Sequence, residues 1–127
     1  MTTITIPAEI MRVVRSTVLT ELGDAADEIS QASLGFEKEQ DLDSFNEPLA
    51  RFDTLRRLLH AVGWSNETQS IDIEEQHREI LATVLEERLV ADRHHIADPL
   101  TDSAARDATE HDVYGVEDFL AATGLSG

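Results

Sequence analysis

The sequence predicts an all-α fold, a small bundle of three main amphipathic helices with a short C-terminal fourth. Apolar residues recur at three- and four-residue steps in three separate stretches, which is the period of a helix. Pro or Gly stands at the borders of those stretches, where helices start and stop. An Ile-x-Ile precedes the first and third stretches, which adds a minimal two-stranded ribbon of Ile4–Ile6 with Ile71–Ile73.

The first helix follows Pro7, whose missing N–H costs nothing in a first turn. Its stripe is Ile10, Val13, Val14, Thr17, Val18, Leu22, Ala25, Ile29 and Ala32. The period stays in phase across Gly23, which costs about 1 kcal/mol relative to Ala. Residues 33–47 lose the pattern and read as an acidic loop that Phe36, Leu42 and Phe45 pin to the core. Pro48 opens the second helix, with Leu49, Phe52, Leu55, Leu58, Leu59 and Val62 on one arc. Gly63 caps it, and Trp64 is expected to fold back on Leu59.

Asp72 and Glu75 spell a capping box for the third helix. Its stripe of Ile73, Ile80, Leu81, Val84, Leu85 and Leu89 continues to Ala91, and Pro99 stops it. Beyond it only Val116–Thr123 reads as a short helix, closed by Gly124 and Leu125, with 100–114 partly helical or loose. The organisation expected is a helical bundle domain over 1–98 and an acidic segment over 99–127, packed on that domain or flexibly attached to it.

The chain also echoes itself. Ile4-Thr5-Ile6 matches Ile71-Asp72-Ile73, and without a gap Val13 and Val14 align with Ile80 and Leu81, Val18 with Leu85, and Leu22 with Leu89. Two similar units, each starting a helix at the same depth from a strand, are expected. Glu21 and Arg88 are equivalent under this alignment and lie within the two stripes, which makes them a candidate buried ion pair.

Charge bounds the function. The chain of 127 residues carries 26 Asp and Glu against 10 Lys and Arg, a formal charge of -16. Nucleic-acid backbones and anionic membranes repel such a surface, so neither is an expected partner. The absence of Cys removes disulfides, thiolate metal sites and cysteine nucleophiles. No apolar run reaches the roughly 18–20 residues of a membrane span, and Met1–Ile6 has no basic flank, so a cytoplasmic protein is expected.

The charge is uneven. Residues 21–48 carry a net of -8 and residues 99–127 a net of -5, whereas Leu49–Trp64 carries +2. Arg51, Arg56 and Arg57 on that locally basic helix form a candidate partner surface, against the plainer reading of a solvated face.

Metal chemistry has one foothold. Glu74-x-x-His77 has the spacing of di-metal carboxylate bundles, and Asp92-x-x-His95 with Asp98 is a looser analogue. His77 and His95 are 18 residues apart, roughly 27 Å along a helix, so they do not share an ion within one chain. No phosphate loop, nucleophile elbow or zinc-protease motif appears, and no cofactor is expected.

Trp64 in an inter-helix turn and Tyr114-x-x-x-Asp118 beyond it resemble the two-part signal of small helical-hairpin substrates of type VII secretion. The resemblance implies an exported helical hairpin. It covers only those few positions, and Asn66 stands where that family has Gly.

Function is thus expected to be that of a non-enzymatic, acidic helical interaction or regulatory module, self-associating as a homodimer and binding a protein partner, a basic one by charge. The alternatives are a metal-binding helical protein and a secreted substrate.

Overall fold

The computed structural model describes residues 2–34 and 43–124. It is mostly helical. In chain order the elements are β1 (Thr2–Ile6), α1 (Ala8–Leu34), α2 (Asp43–Val62), β2 (Gln69–Ile73), α3 (Glu75–Ala97) and α4 (Ser103–Thr123). The expected small α bundle with a minimal ribbon is therefore the observed class.

The ribbon is antiparallel, pairing Thr2 with Ile73, Ile4 with Ile71 and Ile6 with Gln69. Its inner face is Ile4, Ile6, Ile71 and Ile73, all buried. Its outer face is polar, where the Thr3 hydroxyl donates to Asp72 and the Thr5 and Ser70 hydroxyls share a bond of 2.9 Å. This is the strict alternation that fixes strand register.

That register carries a symmetry. Shifting the first strand onto the second maps Ile4 onto Ile71, the residue it pairs with, and maps the pair Thr2–Ile73 onto Gln69–Ile6. A local two-fold axis thus passes between Ile4 and Ile71. The same shift carries Ala8, the start of α1, onto Glu75, the start of α3. Packing follows suit: α2 lies on α1 but also reaches β2 and α3, while α4 lies on α3 and reaches β1 and α1. The chain is two strand–helix–helix units, each using its second helix to cover the other's strand.

The second helices end alike. Gly63 and Gly124 both adopt the left-handed conformation, with φ of 67° and 69°, which a Cβ would strain. The Gly63 N–H bonds the Leu59 carbonyl at 2.9 Å, and the Gly124 N–H reaches the Ala121 and Leu120 carbonyls. An arginine from the preceding long helix then ties down each end. Arg15 donates from Nε to the Gly63 carbonyl at 2.8 Å, and Arg78 donates to the Thr123 and Gly124 carbonyls at 3.3 and 3.2 Å.

One core joins everything. Ile10, Met11, Val14 and Val18 of α1, Leu55, Leu58 and Val62 of α2, Leu81, Val84 and Leu85 of α3, and Val113, Val116, Phe119 and Leu120 of α4 belong to a single buried cluster with the ribbon isoleucines.

Several local expectations are corrected. Pro48 does not open α2; the helix begins at Asp43, and the proline sits in its second turn, where it forfeits one backbone bond. Asp72 does not cap α3, because the ribbon holds it opposite Thr3; Glu74 is the N-cap residue and makes no side-chain capping bond. The short helix expected over 116–123 is instead the 21-residue α4, begun by Asp102, whose carboxylate accepts from the Ala105 N–H at 2.9 Å. The pinning expected of Phe36, Leu42 and Phe45 lies outside the described side chains.

Candidate functional site

A concavity with an apolar floor and a polar rim lies between α4 and the junction of β1 with α1. It has a volume of about 400 Å³. Its floor is apolar, made by Pro7 and Ile10 from the junction and by Phe119 and Ala122 from α4. Its rim is polar, with Glu9 on one side and His111, Tyr114 and Asp118 on the other. The rim side chains of α4 at 111, 114 and 118 and the floor residue at 122 follow the helix period and share one face, while Val113, Val116 and Leu120 face the core.

Gly115 lets the two walls meet. A Cβ at that position would come within 2.6 Å of the Ile10 Cγ2, so α4 approaches α1 only because that atom is missing. Tyr114 is 64% exposed, an aromatic ring held out at the rim. Among the described residues, neither Glu9 nor Asp118 has an ion-pair or hydrogen-bond partner. Two carboxylates beside an apolar floor are therefore left to solvent or to a ligand.

No family model, curated protein or solved structure matches the chain. Chemistry and geometry alone carry the functional reading.

The expected pairing of Glu21 with Arg88 is not what forms. Both residues line one small cleft of about 170 Å³ between α1 and α3. Glu21 instead accepts from Arg51 of α2 at 2.5 Å, with side chains 17% and 32% exposed. Arg88 turns to Asp92, one turn along its own helix at 3.1 Å, and to the Ser16 hydroxyl at 3.3 Å. A partner four residues away is already in reach on the same helix face, which is why the local pair wins.

The basic helix is accordingly divided. Arg51 points inward and ties α2 to α1, so it is not part of an open surface. Arg56 and Arg57 point outward, are more than half exposed, and both hold Asp53 at 2.9 Å. The hydrogen bond from Arg56, joined by the charge of Arg57, holds the Asp53 carboxyl below the usual carboxylate range.

The metal candidates are dispersed. Glu74 accepts from Gln76, His77 is buried at the start of α3, and Asp92 is taken by Arg88. His95 is exposed at the far end of α3, and Asp98 accepts from the Leu100 N–H in the following turn. Among the described residues no three His, Asp or Glu side chains gather as an ion would need. Among the described residues no helix is long and apolar enough to cross a membrane.

Trp64 does not fold back on Leu59. It is 75% exposed, and its ring lies 5.7 Å from the Arg15 guanidinium. Arg15 itself is buried and bonds the Gly63 and Ser65 carbonyls and the Asn66 side chain, so it holds the turn that presents Trp64. Sequence reasoning passed over Arg15, because a charge between Val14 and Ser16 reads as the edge of a stripe. In the hairpins that Trp64 and Tyr114 resemble, the tryptophan joins two helices directly, whereas here β2 stands between α2 and α3.

Proposed function

We propose that the chain is a non-enzymatic interaction module of the cytoplasm that binds a basic protein partner through the cleft between α4 and the β1–α1 junction. The observation that supports this reading is a pre-formed apolar floor rimmed by carboxylates that no side chain of the described residues neutralises. A cleft of about 400 Å³ is within the range of small binding sites, roughly 300–1,000 Å³, and suits a few side chains of a partner segment. The overall charge of -16 steers a basic partner toward the chain and raises its encounter rate.

Affinity capture from host lysate tests the reading. A partner held at low salt should be released at high salt and should be lost by the variant Glu9→Lys/Asp118→Lys. The same partner captured equally by that variant, or none at low salt, would refute the assignment.

A further inference from the structure

The internal duplication points to the group this cleft recognises. Aligning the two left-handed caps, Gly63 with Gly124, places Leu55, Leu58 and Leu59 of α2 on Val116, Phe119 and Leu120 of α4, so core positions meet core positions. The outward positions then invert their chemistry. Asp53 corresponds to Tyr114, Arg56 to Glu117 and Arg57 to Asp118. On α2 the carboxylate of Asp53 is neutralised within its own helix by the two guanidinium groups. On α4 Glu117 is taken by Arg93, while Asp118, with Glu9 across the cleft, has no cation among the described residues.

We infer that the cleft between α4 and the β1–α1 junction is a recognition site for an arginine side chain of a basic partner segment. This rests on the interaction reading above and gives it a ligand class. Three features favour the guanidinium. A planar fork with donors on two edges serves two carboxylates, whereas an ammonium is a point charge. The exposed aromatic ring of Tyr114 offers a face on which such a plane stacks. The floor of Ile10 and Ala122 takes the methylene stem.

The test is a titration of the full-length ¹⁵N-labelled chain with N-acetyl-arginine methylamide, read from backbone amide shifts. Saturable shifts should concentrate on Glu9, Ile10 and residues 111–122, with millimolar affinity. The lysine counterpart should bind less tightly, and the uncharged citrulline counterpart at least about tenfold more weakly, as the loss of one charge-assisted bond implies. Asp118→Asn and Glu9→Gln should each weaken arginine binding about threefold or more while leaving the amide spectrum otherwise native. Equal binding of citrulline, or shifts spread over the acidic surface of α3 as readily as over the cleft, would overturn the proposal.

The two readings fail separately. Cleft-centred arginine binding without a captured protein supports the site and removes the protein partner. A salt-sensitive partner that the charge variants still bind removes the site and keeps the module. Sedimentation of the free chain covers the remaining occupant: a dimer abolished by both Asp118→Asn and Arg57→Gln would overturn an external partner in favour of a second copy.

Discussion

Arg15 stands among the buried residues of α1, yet the chain itself solvates its charge. Its guanidinium donates to the Gly63 carbonyl at 2.8 Å, to Asn66 Oδ1 at 2.9 Å and to the Ser65 carbonyl at 2.5 Å, and it lies beside the Trp64 ring. These bonds are charge-assisted and mostly screened from water, the condition under which a hydrogen bond contributes most. Arg15→Leu leaves the carbonyls of the turn without their donor and should lower stability by about 2–4 kcal/mol, since each bond to a charged group contributes roughly 1.5–3 kcal/mol and water recovers part of the loss. Urea unfolding measures this. Trp64 is the chain's one tryptophan, so its fluorescence anisotropy reports the turn directly. It should fall in the variant while the far-ultraviolet helical signal at 25 °C is kept. Unchanged anisotropy would show that the turn holds its shape without Arg15.

At the scale of elements, two helical glycines make opposite demands. Gly23 lies within α1 with nothing near the place a Cβ would take, and Gly115 lies within α4 against Ile10. Gly23→Ala should therefore stabilise by up to about 1 kcal/mol, the ordinary gain in helix propensity. Gly115→Ala meets a Cγ2 methyl fixed on a buried β-branched side chain at 2.6 Å and should destabilise by about 1–3 kcal/mol despite the same propensity gain. Thermal melts of the two variants should shift in opposite directions; a common direction would mean that helix propensity, not the α1–α4 approach, sets the outcome.

The elements also show what the sequence made legible. Ile-x-Ile before each long helix gave away the ribbon, and the stripes of α1 and α3 gave away their faces, because alternation and the helix period leave marks in a single chain. Pro48 hid the start of α2 because a proline inside a second turn looks like one at a helix start. The first half of α4 is left between helix and loop by the sequence because Ala104, Ala105 and Ala108 carry helix propensity without an apolar stripe. Of the candidate site, the sequence marks Pro7 and Ile10 as helix start and stripe, and Tyr114 with Asp118 only through the spacing of a secretion signal. Glu9 comes from a different unit, and no spacing rule links positions more than a hundred residues apart.

At the scale of the whole molecule, the crossed arrangement of the two units decides where stability resides. The sequence suggests a bundle over 1–98 with an acidic segment packed on it or flexibly attached. In the structure Val113, Val116, Phe119 and Leu120 of that segment lie in the common core, and α4 covers β1 and packs on α1 and α3. Burial of each such side chain contributes about 1.5–3 kcal/mol, so four of them amount to roughly 6–12 kcal/mol as an upper estimate. That is comparable to the whole stability of a typical domain, about 5–15 kcal/mol. A chain ended after residue 98 should therefore lose its cooperative thermal transition rather than melt a little earlier. Differential scanning calorimetry separates the outcomes. Loss of the transition, together with dye binding to exposed apolar surface, is expected if the two units form one folding unit. A sharp transition retained at slightly lower temperature would show that 1–98 stands alone, and that α4 serves the cleft without serving the core.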